Sequence, residues 1–123
     1  MAMRLLTATD LDRVRQAVTS ATRHAGLDGD RATRLTLAVN EIATNAIRHG
    51  GGSAGIVIRA TDGRIEVEIE DSGPGIPPGV TATRPEPEAT GGRGLWLADQ
   101  LCDEMQVRTG PTGTRICLVM RIR

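Results

Sequence analysis

Four polar residues share one stripe of a predicted helix in the middle of the chain: Glu41, Thr44, Asn45 and Arg48. Their spacing of three and four residues places them on successive turns of one helical face. A carboxylate and a carboxamide one turn apart, with a guanidinium one turn further, can bind one ligand together. The same pattern is also typical of a solvated face whose side chains hydrogen-bond at i, i+4. By itself, the stripe predicts either a ligand site or an ordinary polar surface.

A glycine-rich turn, Asp71-Ser72-Gly73-Pro74-Gly75-Ile76, follows a predicted strand over 64–71. Apolar residues and glutamates alternate along that strand, and Asp71 continues the apolar parity. We therefore expect its carboxylate to point toward the core side, where desolvation demands a donor such as the exocyclic amino group of a base. The alternative is that Asp71 caps the turn, as Asp often does.

A second glycine-rich turn, Gly91-Gly92-Arg93-Gly94-Leu95, opens a predicted helix. Backbone N–H groups at a helix N-terminus form an anion site, to which Arg93 can add positive charge. The turn matches neither a P-loop nor the fingerprint of a Rossmann fold. In the last predicted strand Thr114 has the parity of the inward apolar residues, so its hydroxyl is also expected to face inward.

In this order, the three features resemble the GHKL superfamily, the ATP-binding fold of gyrase and sensor histidine kinases. The matching segments are 41–49, 71–76, 91–95 and Gly113-Thr114, and the resemblance spans about residues 28–122. The chain is most similar to the bacterial anti-sigma-factor serine/threonine kinases. Its length, the form of the second glycine turn and the lack of a helix pair with a phosphorylatable histidine favour that group.

The resemblance implies a role for each matched residue. Glu41 would be the general base or would position the attacking hydroxyl, and Asn45 would coordinate a Mg²⁺ that bridges the phosphates. Asp71 would accept a hydrogen bond from the adenine amino group, and Thr114 would assist through its hydroxyl or a water. A short lid over about 77–93 would cover the phosphates. The other nucleotide-binding residues implied are Arg48 and His49 at the rim, Gly73, Gly75 and Ile76 around adenine, and Gly91, Gly92, Arg93, Gly94 and Leu95 at the phosphates.

The implied function is an ATP- and Mg²⁺-dependent kinase that phosphorylates a STAS-type anti-anti-sigma protein and sequesters a sigma factor. Two alternatives remain open. One is a nucleotide-gated partner-switching module with little kinase activity, and the other is the catalytic ATP-binding domain of a split histidine kinase. A homodimer is compatible with the resemblance.

Composition sets the limits for these interpretations. The 123 residues suffice for a single domain over 1–123, although the pattern also fits the C-terminal module of a larger regulator. Fifteen basic and fifteen acidic side chains cancel, which argues against nucleic acid and acidic membranes as partners. No segment resembles a signal peptide or a membrane span. Cys102 and Cys117 lack metal-type spacing, so we expect reduced thiols in a cytoplasmic protein.

The predicted elements must bring these residues together. Their order is strand, two helices, hairpin, loop, helix and hairpin, which predicts an α+β two-layer sandwich. Its sheet is mostly antiparallel (mixed) with helices on one face, and the resemblance implies the Bergerat ATP-binding fold. The expected bounds are a strand at 3–8, a helix from a capping box of Thr9 and Asp12 to Gly26, a helix at 28–49, strands at 55–60 and 64–71 around Asp62-Gly63, a loop at 72–93, a helix at 94–104, and strands at 105–109 and 114–122.

Overall fold

Three helices and five strands make up the described part of the chain, which comprises residues 1–5, 7, 9–49, 54–75 and 93–122 of a computed structural model. In chain order they are β1 (Ala2–Leu5), α1 (Asp10–Ala25), α2 (Gly29–His49), β2 (Ala54–Thr61), β3 (Arg64–Asp71), α3 (Arg93–Leu101), β4 (Glu104–Gly110) and β5 (Gly113–Arg121).

The strands form one open sheet in the order β1-β2-β3-β5-β4, and every pairing in it is antiparallel. β2 and β3 are joined by the predicted two-residue turn, in which Asp62 and Gly63 have φ angles of 51° and 74°. Positive φ at both central residues is the geometry that an Asp-Gly hairpin requires. The register places Asp71, the last residue of β3, between Ala54 of β2 and Thr114 of β5.

One hydrophobic core lies between the helices and one face of the sheet. The apolar parity of β3 is confirmed, since Ile65, Val67 and Ile69 are all buried. The predicted two-layer α+β sandwich is therefore confirmed. The apolar stripe of α2 is confirmed as well, with Leu35, Ala38, Val39, Ile42 and Ala46 all buried.

The N-terminal ends of the first two helices differ in how they are capped. Asp28 caps α2, because its carboxylate accepts the backbone N–H of Arg31 at 3.0 Å. The predicted capping box of Thr9 and Asp12 is wrong. Thr9 has helical angles and makes no side-chain cap. The carboxylate of Asp10, the next residue, accepts the backbone N–H of Thr7 at 3.0 Å instead.

The predicted helix at 94–104 is too long at its C-terminal end, because α3 ends at Leu101. Arg34 of α2 donates to the carbonyls of Gln100 and Leu101 at 3.0 and 3.1 Å, which satisfies two of the last acceptors of α3. The carboxylate of Asp103 then accepts the backbone N–H of Arg121 and pairs with the Arg31 guanidinium. These contacts turn the chain out of the helix and into β4.

The first strand, β1, spans Ala2–Leu5, so it begins one residue earlier than the predicted strand at 3–8. Residue 7 is not in a strand, and residues 6 and 8 of the prediction lie outside the described residues. The last pairing of β1 joins Leu5 to Ala54.

Both cysteines are free thiols. Burial raises the pKa of the Cys102 thiol to about 12. Burial, with the charges of Glu66 and Glu68, also raises the pKa of Cys117. Among the described residues, no helix has the length and apolarity needed to cross a membrane.

Candidate functional site

Glu41 and Asn45 of α2 face the first turn of α3. A Cβ built on Gly94 would lie 2.8 Å from Asn45 Nδ2 and 3.4 Å from Glu41 Oε2. Both side chains are half-buried. α2 and α3 run side by side, since Arg34 near the start of α2 reaches the carbonyls that end α3. The structure therefore joins the polar helical stripe to Gly94, the described glycine of the second glycine turn.

This junction has the chemistry of a phosphate and cation site. The N-terminal N–H groups of α3 favour an anion, and the oxygens of Glu41 and Asn45 suit a hard cation such as Mg²⁺. The Leu95 side chain is buried in the core, so its backbone N–H is the part that can face a phosphate. Within 1–5, 7, 9–49, 54–75 and 93–122, no group of three His, Cys, Asp or Glu side chains could hold a metal. Mg²⁺ commonly keeps phosphate oxygens and water among its ligands, so the single carboxamide oxygen of Asn45 is sufficient as a protein ligand.

The other residues of the polar stripe are placed differently. The Thr44 hydroxyl donates to the carbonyl of Asn40 at 2.7 Å, so it stabilises its own helix. Arg48 and His49 lie in the last turn of α2 with exposed side chains. Their predicted place at a pocket rim remains a prediction.

Asp71 occupies the end of β3 with its side chain partly buried. One carboxylate oxygen, Oδ1, accepts the backbone N–H of Gly73 at 3.0 Å. Asp71 therefore caps the glycine-rich turn, and it also keeps the inward parity that the strand pattern predicts. The two readings of this residue are compatible, because a carboxylate has a second oxygen with which to accept a ligand donor.

The Thr114 hydroxyl lies beside this carboxylate on the same side of the sheet. Thr114 is directly opposite Asp71 in the β3–β5 register, and it is 7% exposed. Its hydroxyl oxygen is 2.8 Å from that of Thr109, which is its partner on β4. Asp71 and Thr114 therefore form the end of the sheet that is predicted to bind adenine.

Thr109 is the residue of this group that sequence reasoning missed. Its signal was available, because the predicted hairpin of 105–109 and 114–122 already pairs Thr109 with Thr114 across the turn. The two-residue turn between Gly110 and Gly113 fixes that register.

Two glycines close the predicted adenine end by tight backbone contacts. A Cβ at Gly75 would lie 2.4 Å from the carbonyl oxygen of Gly110, and the Gly75 φ angle is +89°. A Cβ at Gly113 would lie 2.3 Å from the carbonyl oxygen of Asp71. Side chains at these positions would push the turn after β3 away from the β4–β5 hairpin. Gly73, also predicted to bind nucleotide, is buried in the same turn.

Part of the predicted site lies outside the described residues. Ile76, Gly91 and Gly92 belong to this part, as does the lid from residue 77 onward. For Arg93 only the backbone is described, as the first residue of α3. The roles predicted for these residues therefore remain predictions.

Comparison with known proteins identifies a family. The model of the histidine kinase-like ATPase domain matches residues 5–120. The signal transduction histidine-protein kinase AfsQ2 of Streptomyces coelicolor is 32% identical over 97 residues, which cover 70% of this chain. The matched segment is only 16% of the length of AfsQ2.

Solved structures show the same fold at lower identity. The RsbU and RsbW domains of Rv1364c from Mycobacterium tuberculosis match with a TM-score of 0.68 and 20% identity, over 99% of this chain and 32% of that one. The mycobacterial sensor histidine kinase MprB matches with a TM-score of 0.64 and 23% identity, over 100% and 99% of the two chains. The histidine kinase domain of Erythrobacter litoralis EL346 matches with a TM-score of 0.61 and 24% identity, over 91% and 63%.

Proposed function

The chain belongs to the histidine kinase-like ATPase domain family, and from this premise we propose that it is an ATP- and Mg²⁺-dependent protein kinase acting on a serine or threonine hydroxyl. The proposed acceptor is a STAS-type anti-anti-sigma protein, and the proposed second partner is a sigma factor that the kinase sequesters. The convergence of Glu41 and Asn45 on the first turn of α3 is the observation that supports phosphotransfer.

This convergence supplies what phosphoryl transfer requires, which is positioning and neutralisation of charge. The N–H groups of the α3 N-terminus would face phosphate oxygens, and Asn45 would hold a Mg²⁺ ion, which would supply neutralisation of the phosphate charge. The acceptor hydroxyl oxygen forms a bond to the γ-phosphorus while the bond to the bridging β–γ oxygen breaks. ADP leaves, and the hydroxyl proton passes to the Glu41 carboxylate.

At the end of β3, the position of Asp71 supports adenine as the nucleobase of the bound nucleotide. A carboxylate only accepts hydrogen bonds, and Oδ1 is occupied by the Gly73 N–H. The remaining oxygen is suited to the exocyclic amino group of adenine. Guanine presents a carbonyl at the same ring position, so it would meet a like acceptor there. The pocket proposed here therefore binds ATP in preference to GTP.

A second candidate function is phosphorylation of a histidine. The relation to AfsQ2, a histidine-protein kinase that is 32% identical over the matched segment, favours it. The same Glu41 and Asn45 would serve, because the ATP half of the site is shared by both acceptors. The identity of the acceptor atom is what separates the two proposals.

The chemical stability of the phosphorylated product can distinguish them. The purified chain is incubated with γ-labelled ATP and Mg²⁺, together with the STAS-type proteins of its own genome. A parallel reaction offers a two-helix phosphoacceptor domain from a histidine kinase. Phosphoserine and phosphothreonine survive acid, whereas phosphohistidine is lost in acid and survives alkali.

We expect label on a STAS protein that survives acid and disappears when its acceptor serine or threonine is changed to alanine. Acid-labile label on the helical domain alone would overturn the serine/threonine proposal in favour of the histidine kinase. Tight ATP binding with label on neither acceptor would support the partner-switching module.

A further inference from the structure

A row of polar side chains crosses three strands at the predicted adenine end of the sheet. Thr109 of β4 pairs with Thr114 of β5, which in turn pairs with Asp71 of β3. Residues directly opposite in neighbouring strands project to the same face, so all three side chains lie on the side of the sheet that carries the helices. The hydroxyl oxygens of Thr109 and Thr114 are 2.8 Å apart.

We propose that Thr109 is a positioning residue that directs the Thr114 hydroxyl toward the adenine ring and so contributes to selection of adenine over guanine nucleotides. This inference rests on the proposed ATP-binding function. Thr109 itself does not touch the base and acts through Thr114.

Either hydroxyl of the Thr109–Thr114 pair can donate, and the groups that adenine presents select the direction. Adenine presents its amino group as a donor and the adjacent ring nitrogen N1 as an acceptor, whereas guanine presents an acceptor carbonyl and a donor N1–H. Asp71 accepts from the amino group. N1 then needs a donor, which the Thr114 O–H supplies directly or through one water. A hydroxyl has one hydrogen, so Thr109 must donate to the Thr114 oxygen when Thr114 donates to N1.

The surroundings of Thr109 hold its hydroxyl in place. A Cβ on Gly75 would lie 3.0 Å from Thr109 Oγ1, so the glycine-rich turn packs directly against this hydroxyl. The same Cβ would lie 2.4 Å from the carbonyl oxygen of Gly110, the residue after Thr109. Thr114 is buried, so an O–H that pointed away from every acceptor would lose free energy. The backbone of the turn and the β4–β5 register therefore fix the geometry of the hydroxyl pair.

Nucleotide affinities of the full chain test the proposal. Thr109→Val keeps the branched shape that suits a strand and removes the hydroxyl, and Thr109→Ser restores it. Thr61→Val is the matched control, since Thr61 is also an exposed threonine near the end of a strand that leads into a two-residue hairpin turn. Calorimetry measures ATP, GTP and 1-deaza-ATP, in which a carbon replaces N1.

We expect Thr109→Val to weaken ATP binding about three- to tenfold, the effect of one lost hydrogen bond, with GTP affinity unchanged. Thr109→Ser and Thr61→Val should bind ATP like the unaltered chain. With 1-deaza-ATP the unaltered chain should show a similar loss. Thr109→Val should add nothing further there, because Thr109 acts only through the Thr114–N1 hydrogen bond, which 1-deaza-ATP already lacks.

Three outcomes would overturn the inference while leaving ATP binding in place. The first is an unchanged ATP affinity of Thr109→Val. The second is a Thr109→Val substitution that lowers the affinities for ATP and 1-deaza-ATP equally. The third is a Thr109→Ser variant whose ATP affinity is as low as that of Thr109→Val. If Thr109→Val does not fold, Thr109→Ala takes its place in the same comparison. Failure of the unaltered chain to bind ATP would instead refute the proposed function, and with it this inference.

Discussion

Gly94 lies directly against the carboxamide of Asn45, so that a Cβ on this glycine would come within 2.8 Å of Asn45 Nδ2. The atom it would meet is the end of a side chain, which can rotate away, and the fold can therefore accept the extra carbon. Asn45, however, would have to leave the position from which it faces the first turn of α3. The glycine thus keeps the proposed cation ligand in place without contributing to the core.

Gly94→Ala should separate binding from stability. We expect the affinity for Mg²⁺·ATP to fall about tenfold or more as Asn45 is displaced, and the melting temperature to stay equal or rise. Alanine is a better helix former than glycine by up to about 1 kcal/mol. Calorimetry and thermal unfolding measure the two effects. Gly29→Ala is the matched control, since Gly29 also lies in the first turn of a helix and a Cβ there meets nothing within 4 Å. Equal ATP binding by Gly94→Ala and Gly29→Ala would contradict the assignment of Asn45.

Substitutions of Glu41 and Asn45 should have different effects on ATP binding and phosphotransfer. Glu41→Gln retains the shape, so we expect ATP affinity within about threefold of the unaltered chain and phosphotransfer slowed at least about 100-fold. Asn45→Ala should weaken both ATP binding and transfer, because it removes the proposed cation ligand. Asn40→Ala is the control on the same helix, where Asn40 faces Arg15 of α1 instead. Full transfer by Glu41→Gln would show that this carboxylate is not the base.

Asp71→Asn should abolish tight ATP binding and leave the fold intact. An amide oxygen can still accept the Gly73 N–H, so the turn is retained, but the amide NH₂ then opposes the amino group of adenine. The unsatisfied donor should cost about 2–4 kcal/mol, or roughly 30- to 1,000-fold in affinity. Asp62→Asn, in the turn at the other end of β3, is the control. Near-normal ATP affinity of Asp71→Asn in calorimetry would refute the adenine assignment.

The alternation of apolar and polar residues along the strands predicted which strand residues face the candidate nucleotide site. The alternation along β3 and β5 placed Asp71 and Thr114 on the inner face, and the register then sets them opposite each other. Parity could not show that Asp71 also binds the Gly73 N–H, since a cap depends on the angles of the turn that follows. The close approach of Gly75 to Gly110 was equally beyond local patterns, because it joins segments 35 residues apart in the printed sequence.

Errors at the two predicted helix ends have different origins, one local and one distant. Thr9 is a good capping residue by type, yet the neighbouring Asp10 contacts the preceding backbone instead. The apolar pattern of α3 continues to the buried Cys102, and only the contacts of Asp103 with Arg31 and Arg121 end the helix earlier. The two contacts of Asp103 join residues far apart in sequence, so local propensity does not predict them.

The free energy of unfolding at alkaline pH should depend on the ionisation of the two cysteines. The chain contains no Lys and no Tyr, so the thiols are the side chains that ionise between pH 9 and 12. Burial raises the pKa of Cys102 to about 12 in the folded state, above its unfolded value of 9.0, and raises that of Cys117 in the same direction. The unfolded chain therefore releases protons first, and the free energy of unfolding should fall as the pH rises above 9.

The expected slope approaches about 1.4 kcal/mol per pH unit for each thiol with a raised pKa. Urea unfolding at pH 8.0, 9.5 and 10.5 measures it, and Cys102→Ala should remove the larger part. Stability that is flat from pH 8 to 10.5 would contradict the raised pKa of Cys102.

Trp96 should report nucleotide binding. It is the single tryptophan of a chain without tyrosine, and it lies in α3 two residues after Gly94. Closure over a ligand commonly reorders the segment beside it, so the emission of Trp96 should change when the phosphates reach the first turn of this helix. We expect ATP with Mg²⁺ to shift the emission saturably, GTP to do so much less, and a chelator to weaken the ATP response. Asp71→Asn, with its tryptophan unchanged, should show no shift at the same ATP concentrations. Equilibrium dialysis accompanies the titration, and equal binding of ATP and GTP by both methods would contradict the proposed pocket.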